Sequence, residues 1–407
     1  MVPKNITSIG NNAFENCQSI TSFVISGSVV EIGNNAFAGS GLINIRFDSS
    51  SQSIAIKDSA FEGCHSLQAV SIPRKVTKIG DNAFKDCASL VTFYMEDNEM
   101  LYLGNNAFEN CYSLAYVSVI NAQIIGDCSF KNCHSLREFI VSNVTTDIEV
   151  EALAGCRGLT TIYVPDSVNV IDYYVFKGCD NLTSLTIPYV VGQSGSASAI
   201  ISLFGDDSSE VPVSFKTLTL TGNYDIKAFT LDEVLTVENL IIKTNGNILD
   251  QAFEDCDSLK EVRIEGNIEI IGDEAFYDCE NLETVTFPDT LKSIGEYTFL
   301  QNRMLNKVIL KNVESIGESA FEGCWSLYYV HLGLKMQTVG DYAFTACNSL
   351  STLVVSATLT SSGFGTNVFE GCSNIFVHYL GLLNQWNTSG LETIFTPEIS
   401  RGFSYRH

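Results

Sequence analysis

Along most of the chain, apolar and polar residues recur in one short pattern. A cysteine is followed by a polar pair and leucine, then by alternation, as in CHSLQAVSI (64–72) and CNSLSTLVV (347–355). Period-two alternation of that length predicts a half-buried strand. Pro or Gly often ends it, at Pro73, Pro165, Pro188, Pro288 and Gly333. An apolar pair then leads into Ile-Gly, where glycine takes a turn conformation that a β-branched residue resists. Asn, Asp or Glu stands next, for example Asn11, Asp58, Asp81, Asn105, Asp250, Asp273 and Glu296. These types suit a helix N-terminus, so the Ala-Phe-x-x-Cys that follows reads as one short helical turn with Ala, Phe and Cys inward.

The segments IGDNAFKDCASL (79–90), IGDEAFYDCENL (271–282) and IGESAFEGCWSL (316–327) repeat that pattern almost word for word. With the Ala-Phe aromatic as marker, the units fall at Phe14, Phe37, Phe61, Phe84, Phe108, Phe130, Leu153, Phe176, Phe204, Phe229, Phe253, Phe276, Phe299, Phe321, Phe344 and Phe369. A single unit cannot bury its own apolar face, but stacked copies can.

The pattern resembles the leucine-rich repeats of the BspA-like type, whose unit reads roughly Ile-Gly-x-x-Ala-Phe-x-x-Cys-x-x-Leu. The resemblance covers about residues 2–372, with departures at 149–156, where Leu153 replaces Phe, and at 188–240, where the cysteine is missing twice. It implies an α/β solenoid: a curved, right-handed array with a parallel sheet on the concave face and short helical turns on the convex face. Members of this family are typically secreted or surface molecules that bind host or partner proteins. The implied role is therefore a non-enzymatic extracellular recognition or adhesion module that binds a protein through its concave face. The expected organisation is a solenoid over 1–372, with an irregular insertion at about 188–240, and a capping segment over 373–407. Within that segment, NIFVHYLGLLNQWNTSGLETIF (374–395) reads as a last strand and a short helix over the end of the core. The chain opens inside a unit, at VPKNITSIG (2–10), as a piece of a longer protein would.

Composition narrows the partners. The chain has 407 residues, 23 Lys and Arg against 47 Asp and Glu, and a formal charge of −24. That balance argues against nucleic acid and anionic membrane surfaces. A hydrophobic content of 45% argues against disorder. No apolar stretch approaches the ~20 residues of a membrane helix. No basic and apolar leader opens the chain, so any export signal has been removed or never existed. A monomer is expected.

Twelve of the thirteen cysteines occupy one repeat slot: Cys17, Cys64, Cys87, Cys111, Cys133, Cys156, Cys179, Cys256, Cys279, Cys324, Cys347 and Cys372. They read as a buried, reduced column of small apolar fillers rather than disulfides or metal ligands. No zinc spacing, nucleophile elbow, His-Glu-x-x-His or phosphate loop occurs, so neither metal, cofactor nor catalysis is expected. The candidate surface lies on the strands. Outward strand positions are mostly Ser and Thr, but Tyr94, Tyr116, Ile140 and Tyr163 interrupt them, and Tyr328, Tyr329 and His331 form a second group. Exposed tyrosines are frequent anchors at protein interfaces and also stack on sugars, so a glycan receptor is the alternative and an enzyme accessory domain a third reading. Cys128, outside the column in a slot otherwise polar, is expected to be a solvent-exposed thiol of ordinary reactivity.

Overall fold

The computed structural model describes residues 5–405 apart from residue 74, residues 96–100, residue 119, residues 190–199, residue 232 and residues 397–398. The low-complexity run GQSGSASA (192–199) lies outside the described residues. The chain forms two compact units, one of residues 1–195 with 200–215, the other of 196–199 with 216–407.

In the first unit the alternating segments pair in parallel, in the order Ser22–Ile25, Asn44–Phe47, Ala69–Ile72, Thr92–Met95 and Tyr116–Val117. Strands Thr161–Tyr163 and Ser184–Pro188 pair in the same way. In the second unit nine strands run in parallel from Thr217–Thr221 to Ser400–Tyr405. The apolar pairs before Ile-Gly, read above only as a lead into the turn, are themselves short parallel strands. Ser8–Ile9, Glu31–Ile32, Ile54–Ile56, Val76–Ile79 and Tyr102–Leu103 form one such sheet. Ile270–Ile271, Ser293–Ile294, Ser315–Ile316 and Thr338–Val339 form another.

The expected helical turns are absent, and hydrogen-bond accounting gives the reason. In the coil at Phe84, alternate amides bond back three residues: Ala83 N to Gly80 O (3.2 Å), Lys85 N to Asn82 O (3.0 Å) and Cys87 N to Phe84 O (3.2 Å). The amides between them bond to the next coil instead: Asn82 N to Asn105 O (2.9 Å), Phe84 N to Ala107 O (2.8 Å) and Asp86 N to Glu109 O (2.8 Å). Asn82 and Asp86 hold φ of 56° and 60°, the left-handed geometry of the third residue of a type II turn. Helix needs every amide within its own segment, whereas this stack uses half of them to join coils. Among the described residues the one α-helix is Leu383–Ser389. Its Trp386 is buried and packs edge-on against Tyr379, with ring centroids 5.3 Å apart.

The acidic residues are therefore not helix caps. Asp58 Oδ1 accepts from Asp81 N at 3.2 Å, Asp81 Oδ1 from Asn105 N at 3.0 Å, and Asp250 Oδ1 from Asp273 N at 2.9 Å, each reaching the same position one coil on. These bonds also explain the Ile-Gly glycine. A Cβ at Gly104 would stand 2.3 Å from Asp81 Oδ1, and one at Gly272 the same distance from Asp250 Oδ1. Close approach of the neighbouring coil, not a left-handed φ, requires glycine there.

Inside, the phenylalanines stack coil on coil. Phe37 and Phe61 lie 5.2 Å apart at 2°, Phe276 and Phe299 5.2 Å apart at 3°. Phe229 does not take the stacking position that its Ala-Phe step predicts: it is exposed with φ of 58°, and the buried Leu231 fills the slot. The amides fix the alignment, since Phe229 N bonds to Gln251 O, two residues before Phe253.

Candidate binding surface

Tyr94 lies on strand Thr92–Met95, where Phe93 and Met95 point into the core and leave the tyrosine outside. Tyr116 and Tyr163 take outward positions on Tyr116–Val117 and Thr161–Tyr163, and Ile140 precedes Val141, which bridges to Ile120. Relative exposures are 44% for Tyr94, 51% for Tyr116, 52% for Ile140 and 60% for Tyr163.

These side chains form a zigzag rather than one row. Tyr94, Ile140 and Tyr163 each stand four residues after the buried leucine of their coil (Leu90, Leu136, Leu159), whereas Tyr116 stands two after Leu114. The register Tyr116↔Thr92 and Val117↔Phe93 therefore sets Ser118, not Tyr116, beside Tyr94. Ser118 is buried and its hydroxyl accepts from Met95 N at 3.0 Å, which leaves a low point between flanking large side chains.

The second group divides. Tyr328 is exposed, while Tyr329 and His331 on strand Tyr329–Leu332 are half-buried. The Lys307 ammonium lies 5.0 Å from the Tyr329 ring centre. Burial holds the His331 imidazole below its usual pKa, so it is neutral at pH 7.

Cys128 is half-buried rather than fully exposed, and its thiol lies 3.5 Å from Glu151 Oε2. Burial is the main influence pushing its pKa up to about 11; Lys131 opposes the shift and Glu151 adds to it. The slot is a left-handed turn position, φ 53°, which explains why Asn, Ser, Gln and Glu fill it elsewhere.

The cysteine column has a more specific role than filling space. Cys87 Sγ donates to Phe61 O at 3.2 Å, Cys111 to Phe84 O at 3.1 Å, Cys133 to Phe108 O at 3.3 Å and Cys347 to Phe321 O at 3.2 Å. Each thiol thus satisfies the phenylalanine carbonyl one coil earlier. Burial raises the pKa of Cys87, Cys111, Cys133 and Cys347, and that of Cys179 to about 12, so these thiols are protonated and unreactive; at the end of the column the hydrogen bond with Cys347 lowers that of Cys372. Cys17, in the first coil, is half-buried.

A row the sequence reading passed over follows the cysteines. Tyr112 and His134, each next to a column cysteine, lie 5.1 Å apart ring to ring. Burial and the nearby Arg157 lower the His134 pKa. The same slot in the second unit holds Glu280, Arg303 and Trp325, with Arg303 Nη1 2.6 Å from Glu280 Oε1 and its guanidinium 4.9 Å from the Trp325 ring centre. The repeat position after Cys was the signal that could have found it. Among the described residues no three His, Cys, Asp or Glu side chains converge as a metal site would require, and no helix is long and apolar enough to cross a membrane.

The repeat chemistry matches one family model, described as the BspA type leucine rich repeat region, over residues 1–115, 102–198 and 246–376. The chain belongs to that family. Its leucine-rich repeat fold is typically a non-enzymatic scaffold for protein recognition, and no catalytic family is indicated. Solved bacterial structures are similar at low identity. A leucine-rich repeat protein of Bacteroides ovatus is 21% identical with a TM-score of 0.32, covering 87% of each chain. A leucine rich cell surface protein of Faecalibacterium prausnitzii is 21% identical with a TM-score of 0.33, covering 94% of this chain and 86% of its own. The pneumococcal vaccine antigen PcpA is 20% identical with a TM-score of 0.34, covering 97% of this chain and 84% of its own. No curated protein matches the chain.

Proposed function

We propose that this protein is a non-enzymatic recognition or adhesion module, secreted or displayed on a cell surface, that binds a partner protein through the strand face of its first unit. The observation that carries this reading is the zigzag of Tyr94, Tyr116, Ile140 and Tyr163, four large side chains left exposed on neighbouring coils. Two-torsion aromatic side chains offer contact area at low entropic cost, and tyrosine keeps a hydroxyl for a polar partner. An apolar isoleucine within the group favours a protein over a sugar, since sugar faces are recognised by rings with hydroxyl-matching neighbours. With a formal charge of −24, the partner's surface should be neutral to basic. Tyr94, Tyr116 and Tyr163 stand on strands, and Ile140 precedes the bridge at Val141, which limits the ordering cost of binding. Parallel arrays of extracellular matrix proteins and glycans, probed with wild type and with Tyr116→Ser/Tyr163→Ser, test this. The reading expects a protein ligand whose binding falls at least tenfold in the double variant. Glycan binding lost in that variant, with no protein ligand, would favour the sugar receptor.

A further inference from the structure

In the second unit, strand Thr284–Thr286 meets strand Lys307–Leu310 at a single register pair, Thr284↔Lys307. Its other side holds three pairs with Glu261–Ile264, and Lys307–Leu310 holds four with Tyr329–Leu332. Past Thr284 the two strands part, and Thr286 and Ile309 are not register partners. The coils join again where Asn312 Nδ2 donates to the Asp289 carbonyl at 2.8 Å. The opening between these two clamps is a cavity of about 380 Å³. That volume falls within the range of small-molecule pockets, ~300–1,000 Å³.

Its apolar walls come from the half-buried Phe287 and Ile309, while Val285, Leu310 and Val313 border it from within the core. Its rim is charged. Lys311 faces Asp289 at 3.4 Å, an exposed pair that solvent screens strongly. Lys307 has no carboxylate within ion-pair distance among the described residues and rests over Tyr329. Five other lysines of this unit, Lys216, Lys243, Lys260, Lys292 and Lys311, each face a carboxylate, and Lys335, like Lys307, faces none among the described residues. With acidic residues outnumbering basic ones 47 to 23, a lysine without a carboxylate marks a place where an anion is tolerated. The sequence gives no sign of the gap, because the alternation of both strands is regular.

We propose that this cavity binds a small molecule with an apolar body and a single anionic head. The body lies between Phe287 and Ile309, and the head meets the Lys307 ammonium after it rotates from the Tyr329 ring. Removal of the body from water supplies most of the affinity. The lysine supplies the preference for a charged head.

Calorimetric titration with 3-phenylpropionate, and with the neutral 3-phenylpropanol of the same length, tests the site. The acid should bind with one-to-one stoichiometry and more tightly than the alcohol. Lys307→Met should weaken the acid roughly two- to fivefold and leave the alcohol unchanged. Thr286→Trp, which fills the mouth from an exposed strand position, should abolish binding of both. Unchanged unfolding midpoints would show that both variants are folded. Absence of acid binding to wild type, equal binding of acid and alcohol, or binding that survives Thr286→Trp would each overturn the proposal.

Discussion

The side-chain amide of Asn302 donates to the carbonyl oxygen of Phe276 at 2.7 Å. Asn302 occupies the cysteine slot of its coil, and its bond replaces the one that Cys279 makes to Phe253 O at 3.2 Å. The slot is thus defined by a buried carbonyl that needs a donor. Cysteine meets that need with a weak donor and little else. Asparagine brings an oxygen as well, and Asn302 Oδ1 is buried without a partner.

Asn302→Cys should therefore stabilise the second unit. Removing one buried unsatisfied acceptor while keeping the donor is worth about 1 kcal/mol. A urea unfolding midpoint higher than that of wild type is the expected result; a lower one would show that the asparagine oxygen has a partner.

Phe276 is sandwiched between Phe253 at 5.1 Å and Phe299 at 5.2 Å. Phe276→Ala should cost ~3–5 kcal/mol. Because coupling in a repeat stack is between nearest neighbours, hydrogen exchange should accelerate in the adjacent coils and fade beyond them. A uniform loss of protection throughout the unit would contradict this.

Gly272→Ala should cost about 2–4 kcal/mol, through a clash rather than backbone strain. The added methyl would stand 2.3 Å from Asp250 Oδ1 and 2.6 Å from Asp250 N. Asp250→Ala in the same chain should restore part of the loss, because it removes the nearer atom. A double variant no more stable than Gly272→Ala alone would place the clash elsewhere.

How much of this could be read beforehand follows from where each hydrogen bond goes. Side-chain periodicity reports which residues face inward, so the strands, the phenylalanine stack and the buried cysteines were legible. Periodicity does not report backbone partners. The amides of Asn82, Phe84 and Asp86 bond to residues more than twenty positions away, and no local pattern distinguishes that from a helical turn. Asp58 and Asp81 look like caps for the same reason: an acceptor before an Ala-Phe step suits its own turn or the next coil equally well. The Ala228-Phe229 step suggests a place in the stack for Phe229, although Leu231 holds the slot. On the surface, exposure of Tyr94, Tyr116, Ile140 and Tyr163 was readable from strand alternation, but the offset that makes them a zigzag needed the register.

Cys128 should react slowly. With the thiol pKa pushed up to about 11, chiefly by burial, the neutral form dominates at every pH below that value. At pH 8 only about one thiol in a thousand is ionised, against roughly a quarter for an ordinary cysteine. Iodoacetamide labelling of the native protein should be slow at pH 8 and accelerate as pH rises toward 11. A fast, pH-independent reaction at Cys128 would contradict that environment.

The functional account rests on which face of the first unit a partner covers. Hydroxyl-radical footprinting of the complex with the protein ligand found on the arrays measures this directly. Oxidation of Tyr94, Tyr116 and Tyr163 should fall on binding, while Tyr112 and Tyr173, exposed away from the outward strand positions, should react as in the free protein. Protection of Tyr112 and Tyr173 with the three strand tyrosines unchanged would contradict the account.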